Sequence, residues 1–432
     1  MSASLNALQK REFVARGFSR RHFGRIAAML GAGAALPFYN EPALAQLSAV
    51  SGQIPPDAVR INANENPLGP CDDAAAAMLG AGAATLPFYN EPAMAQLSAV
   101  NGQIPADAVR INANENPLGP CAEAAAAIHA IVQKGGRYLY EETFGFQEIM
   151  AEREGLKPDY VQPYPGSSAP LHQAVLAFAS PIKPFVTASP GYEAGERAAK
   201  FIGAKVIAIP LTSSYSHDVK AMAAATPDAG LIYVCNPNNP TGTLTPREDI
   251  EWLLVNKPKG SVLLLDEAYI HIAGAPMCSD LVAKDKDIVI LRTFSKIYGM
   301  AGIRAGAALG RPDLLQKIVP YSSGALPVTA MAAATASLKS KTVVPERRKI
   351  IGDVRADVLA FLEKHRFKYV PSVSNKFMVD VGRPGGEIIE AMRKEKIYIG
   401  RVWPAWPTYV RVSIGTQEEM DKFKTAFLKV MA

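Results

Sequence analysis

With 432 residues, 49% of them hydrophobic and 20% charged, the chain has an ordinary folded-protein composition and length enough for two domains with substantial cores. Its net charge is +6, and residues 1–45, with six Lys or Arg against two Asp or Glu, carry most of it; the nearly neutral remainder argues against a nucleic-acid surface. No apolar run is long enough for a stop-transfer helix, and Cys71, Cys121, Cys235 and Cys278 show neither metal-ligand spacing nor a disulfide framework.

The chain opens with a segment that reads as an address. Ser19 to Arg25 (SRRHFGR) precede a short uncharged run, IAAMLGAGAAL, and then ALAQ at Ala43 to Gln46. A charged region, a short apolar region and a small-x-small site are the parts of a cleavable leader, and the paired arginines are similar to a twin-arginine export signal. That route carries folded proteins through the twin-arginine export machinery, so the expected destination is the periplasm or exterior of a bacterium. Residues 1–45 are therefore expected to be a signal peptide.

Residues 29–77 then recur almost letter for letter at 78–127, differing by an inserted Thr85 and five substitutions. Two copies are too few for a solenoid, which needs about three. Only the second copy runs on into the rest of the chain. Residues 46–95 are expected to be a redundant linker, and 96–137 an arm that joins a later domain.

From Lys134 onward, short apolar runs alternate with amphipathic stretches. Strands are expected at 184–188, 205–209, 231–234, 261–266, 288–292 and 305–309, with helices near 168–180, 192–203 and 246–257. Nearly continuous apolar strands separated by helices predict a mostly parallel α/β sheet covered on both faces. Ligands bind such sheets beyond the carboxyl ends of the strands, and polar residues collect there. NPNNPTG (Asn236 to Gly242), DEAY (Asp266 to Tyr269) and RTFSK (ending in Lys296) each follow a strand. GSSAP (Gly166 to Pro170) opens a helix, with a serine as a candidate N-cap and backbone N–H groups free to bind a phosphate.

Together with NENPLGP (Asn114 to Pro120), TFSKIYGMAGIR (Thr293 to Arg304) and VRVSIGT (Val410 to Thr416), these motifs resemble, in family order, the fold-type I, pyridoxal-phosphate-dependent class I/II aminotransferases, and most of all their histidinol-phosphate branch. The resemblance runs from about Ala108 to the C-terminus. It implies a large cofactor-binding domain (138–325) with a mostly parallel sheet, a smaller α/β C-terminal domain (326–432), and a homodimer acting on amino acids and 2-oxo acids.

It also implies roles. Lys296 would bind the aldehyde of pyridoxal 5'-phosphate as a Schiff base and act as proton carrier at the substrate α-carbon, because only a primary amine forms and exchanges that imine. Asp266 would keep the pyridine nitrogen protonated, making the ring an electron sink. Tyr269 and Asn239 would hydrogen-bond the ring oxygen, and Tyr192 would stack on the ring. Gly166, Ser167, Ser168, Thr293, Ser295 and Arg304 would hold the cofactor phosphate, with Gly299 and Gly302 allowing close backbone approach. Tyr138 matches the tyrosine that reaches the neighbouring subunit's phosphate. Arg411 matches the arginine that binds the substrate α-carboxylate, and Arg401 lies where the histidinol-phosphate enzymes hold a distal phosphate. Asn114 and Asn375 are further substrate-side residues.

The spacing between Arg401 and Arg411 is shorter than in those enzymes, with Trp403 and Trp406 between them. That departure leaves an amino acid with an aromatic or otherwise bulky side chain open as substrate. A racemase or decarboxylase on the same scaffold, or a non-catalytic binder of the cofactor or an amine, are the alternative functions.

Overall fold

The computed structural model describes residues 7–19, 104–322 and 325–432. The arginine pair after Ser19, the first copy of the repeat, and the expected linker at 46–95 lie outside the described residues. Among those described, no helix is long and apolar enough to cross a membrane.

The first strand among the described residues is β1 (Val109–Ile111). The central sheet is then built from β2 (Val161–Tyr164), β3 (Phe185–Ser189), β4 (Val206–Pro210), β5 (Leu231–Cys235), β6 (Val262–Asp266), β7 (Ile288–Thr293) and β8 (Gly306–Gly310), in the order β2-β8-β7-β6-β5-β3-β4. All pairings from β4 across to β7 are parallel, and β8 runs against both of its neighbours. The six expected strands are all present, each within a residue of its predicted bounds. Every residue of β5, β6, β7 and β8 is buried, the mark of a sheet covered on both faces. The seventh strand, β2, escaped the sequence reading because Pro163 breaks its pattern. Its edge position tolerates a residue with no N–H.

The expected helices appear at Ser168–Phe178, Ala194–Phe201 and Arg247–Asn256. Beyond the sheet, the 22-residue helix Val343–Lys364 leads to β9 (Tyr369–Val370), β10 (Lys376–Asp380), β11 (Ile397–Ile399) and β12 (Tyr409–Ser413). β12, β10 and β9 form a three-stranded sheet, while β11 pairs in parallel with β1, tying the second copy of the repeat to this C-terminal region. The final helix, Gln417–Met431, starts on a capping box in which Thr416 and Glu419 satisfy each other's backbone N–H groups. The last residue of VRVSIGT is thus a helix start.

Near the N-terminus, the helix Ala7–Ala15 and the turn after it pack on the sheet-bearing body. Phe13 and Phe18 are buried, edge to face, with the Arg16 guanidinium over both rings. Arg16 donates to the carbonyls of Leu176, Ala177 and Ala179, the last carbonyls of the Ser168–Phe178 helix, and to Tyr321. A cation among helix-end carbonyls satisfies acceptors that have no intrahelical partner.

Candidate active site

A cavity of about 620 Å³ opens where the carboxyl ends of β5, β6 and β7 face the N-terminus of the Ser168–Phe178 helix and the C-terminal region. Such a crevice is where an open α/β sheet binds its ligand.

Lys296 enters it from the loop after β7. Its Nζ donates to the Asn114 carbonyl at 3.0 Å. Burial, aided by the positive charge of Arg411, brings the amine down to about 8 from the ordinary 10.5. A lysine shifted that way holds more of the neutral, nucleophilic form near neutral pH.

Asp266, the last residue of β6, is buried; its carboxylate accepts from Tyr233 Oη at 2.9 Å and from the Ala268 N–H at 3.1 Å. Burial pushes its pKa up. A protonated ring nitrogen is the kind of cation such a carboxylate fits.

Tyr269 and Asn239 are aimed by their neighbours. Asn114 Nδ2 donates to Tyr269 Oη at 3.2 Å and to Asn239 Oδ1 at 3.3 Å, and Arg411 donates to the same Oδ1 at 2.9 Å. Asn239 therefore keeps its NH2, and Tyr269 its hydroxyl proton, for the cavity that both line. Asn114 adopts a positive φ of 54° and also accepts from Ser413. Its side chain aligns these two residues, and Asn114 lines the cavity beside them.

At the other end of the cavity, Thr293 Oγ1 donates to Ser295 Oγ at 3.0 Å, and Arg304 donates to Ser295 Oγ at 3.2 Å. Ser167 stands at the N-cap position of its helix but makes no side-chain cap, so it is not the capping serine the sequence suggested. The first-turn N–H groups thus remain beside these hydroxyls and the guanidinium, a donor set suited to a phosphate dianion. A Cβ on Gly166, at φ 88°, would collide with Arg304, so only glycine fits there. Gly299, at φ 66°, has its missing Cβ against the Gly119 carbonyl, whereas Gly302 is exposed.

The substrate side is formed by the C-terminal region. Arg411, on β12, is buried, lines the cavity and donates to Asn239 and the Asn112 carbonyl, while its buried Nε has no partner. Burial lowers its pKa to about 10. A substrate carboxylate would supply the missing acceptor and counter-charge. Arg401 donates to Glu193 at 2.5 Å and lies 4.4 Å from the centroid of Trp403.

Tyr192 lines the cavity, as expected, but Tyr138 and Asn375 do not. Tyr138 stacks on Tyr140, and the Asn375 amide donates to the carbonyls of Asn114 and Glu115, fastening the NENP segment. Sequence reasoning missed Tyr233, Glu193 and Lys376. It also missed a buried cluster in which Arg292, directly before Thr293, bonds both Glu154 oxygens at 2.7 and 2.9 Å and also Glu267, the neighbour of Asp266. The charged letters at 267, just past the end of β6, and at 292, inside the otherwise apolar β7, were the available signal.

A buried lysine of lowered pKa, a buried carboxylate and a donor set suited to a phosphate, on this fold, are what a pyridoxal-phosphate-dependent transferase of fold type I requires. The chain belongs to the class I and II aminotransferases, the family matched by residues 106–427. It is 33% identical over 377 residues to the histidinol-phosphate aminotransferase of Symbiobacterium thermophilum, covering 86% of this chain and 90% of the relative. The corresponding enzyme of Moorella thermoacetica is 30% identical over 308 residues, covering 68% of this chain and 78% of its own length. Among solved structures, histidinol-phosphate aminotransferase from Sinorhizobium meliloti in complex with pyridoxal-5'-phosphate superposes with a TM-score of 0.71 at 26% identity, over 79% of this chain and 94% of that one. Aspartate aminotransferase from Thermus thermophilus with maleate shares the fold, with a TM-score of 0.67 at 19% identity over 78% and 95% of the two chains.

Proposed function

We propose that this aminotransferase takes its amino group from an L-amino acid with a bulky, flat side chain, and that it works outside the cytoplasm as a homodimer. The observation that carries the substrate reading is the Glu193–Arg401 pair. The arginine expected to receive a distal phosphate is already engaged by a carboxylate and laid over Trp403. A phosphorylated donor would have to displace Glu193, whereas an aromatic side chain meets the faces of Tyr192 and the guanidinium.

When bound, pyridoxal phosphate supplies the electron sink that makes a Cα–H bond acidic. In this reading Thr293, Ser295, Arg304 and the first-turn N–H groups of the Ser168–Phe178 helix hold its phosphate, Asp266 holds its ring nitrogen, and Tyr269 and Asn239 its ring oxygen. Lys296 would anchor it at rest, and its amine, freed when the substrate amine takes its place, would carry the proton lost from the substrate Cα. Arg411 fixes the α-carboxylate of donor and acceptor alike. That alignment favours loss of the Cα proton over loss of carbon dioxide. Tyr138, stacked away from its own cavity, completes the site of a second copy.

A donor panel read by kcat/KM, with 2-oxoglutarate as acceptor, tests the substrate. Aromatic L-amino acids are expected to exceed histidinol phosphate, and the reverse order would defeat the reading. Glu193→Gln should raise use of histidinol phosphate by freeing Arg401. The export proposal rests on residues 19–25, with support from the leader-like order of residues 1–45. A reporter fused to residues 1–45 should reach the periplasm only while Arg20 and Arg21 are intact; delivery after changing both to lysine would count against that route.

A further inference from the structure

Lys376 opens β10, directly after Asn375, and none of its surface reaches solvent. Burying a lysine is costly unless its head group finds partners. Its Nζ donates to Ser374 Oγ at 3.0 Å and stands 3.1 Å from the centroid of the Tyr269 ring. It does not line the cavity; Tyr269 does.

We infer that Lys376 is a positioning residue that acts through Tyr269: its N–H groups clamp the ring face from behind and draw electron density from the phenol, so that the hydroxyl donates more strongly into the cavity. Two directed contacts support this. Asn114 fixes the oxygen from one side, and Lys376 fixes the ring plane from behind. N–H groups over an aromatic face are attracted to its negative quadrupole whether or not the amine is charged.

The groups facing Lys376 are Cys235 at the end of β5, Asp266 at the end of β6, Lys296 after β7 and Arg411 on β12. Burial pushes the amine toward its neutral form, and the like charges of Arg411 and Lys296 push the same way. A neutral amine retains two N–H donors, enough for Ser374 and the ring together.

The inference rests on Tyr269 acting at the cofactor's ring oxygen, as proposed above, and the test separates the two. The visible absorption of the full-length protein loaded with pyridoxal phosphate is titrated with pH in wild type, Lys376→Met, Tyr269→Phe and the double variant. A stronger phenol donor favours the unprotonated chromophore. Lys376→Met should therefore raise the spectral midpoint by about half a pH unit, Tyr269→Phe should raise it further, and the double variant should match Tyr269→Phe. An unchanged midpoint in Lys376→Met overturns the inference. So does an equal displacement by Lys376→Met when Tyr269→Phe is already present, which would make Lys376 a through-space charge. If Tyr269→Phe alone leaves the midpoint in place, the role of the tyrosine falls, and that of Lys376 with it. Should Lys376→Met fail to fold, Ser374→Ala, which removes the acceptor holding Nζ, is expected to move the midpoint upward to a smaller extent; no movement there also overturns the inference.

Discussion

Tyr233 on β5 and Asp266 on β6 meet across two adjacent parallel strands, the phenol donating to the carboxylate at 2.9 Å with both side chains buried. The bond makes a neighbouring strand responsible for the orientation of the carboxylate proposed to hold the cofactor's ring nitrogen. Removing it by Tyr233→Phe deletes one charge-assisted hydrogen bond, worth about 1.5–3 kcal/mol. The expected result is roughly tenfold or greater weakening of pyridoxal phosphate binding with little loss of fold, read by titrating the cofactor-free protein.

Lys296 gives a pH dependence whose sign follows from its shift. The neutral amine is the form that captures the cofactor, and burial together with Arg411 lowers its pKa to about 8. Capture by the cofactor-free protein should accelerate as pH rises and level off above that value. Arg411→Gln, which deletes a like charge, should move the midpoint upward. A rate that keeps climbing toward 10.5 in wild type would show that the lysine is not perturbed as described.

Arg411 itself carries a substrate prediction. Its buried Nε has no acceptor in the protein. Arg411→Gln leaves the incoming carboxylate without its charge partner, a loss of about 2–5 kcal/mol at a desolvated pair. The measurement is steady-state kinetics with amino donors, where kcat/KM should fall by about a hundredfold or more.

The Arg292 cluster should matter for stability more than for binding. Arg292 is fully enclosed between Glu154 and Glu267, and the two carboxylates hold its guanidinium well above its usual value. Arg292→Leu leaves two buried acids without a cation, at a cost of about 3–5 kcal/mol. Denaturant unfolding of the variant should show that loss.

In the chain that still carries its leader, the docked N-terminal segment predicts a penalty for trimming. Arg16→Ala strips a donor from the carbonyls that close the Ser168–Phe178 helix, at about 1–3 kcal/mol. Deleting residues 1–19 also exposes the surface covered by Phe13 and Phe18 and should destabilise more. A melting temperature unchanged by the deletion would show that this packing contributes nothing in solution.

The sequence was most legible where chemistry and chain order coincide. Lys296, Asp266, Tyr269 and Asn239 all end or follow strands whose apolar runs are visible as letters, so their convergence at one sheet end follows from chain order alone. The phosphate-end residues were legible for the same reason, as short polar segments joined to those strands. Partners distant in sequence were not legible. Glu193 meets Arg401 across 208 positions and Tyr233 meets Asp266 across 33, and nothing local at either end of these pairs announces the other. Asn114 and Asn375 stood in recognisable motifs, yet their amides turn out to hold backbone and neighbours in place.

By itself, the sequence determined the strand and helix pattern, the lysine and carboxylate that reach the cavity, and the leader-like order of the first residues, because periodicity, turn chemistry and motif order are local properties of a chain. Only the tertiary structure decided that Arg401 is already paired, that Arg16 closes a distant helix, and that a second lysine lies behind Tyr269. Those outcomes depend on which side chains are brought together and shut away from water, where a hydrogen bond or an unpaired charge is decided by three-dimensional neighbours.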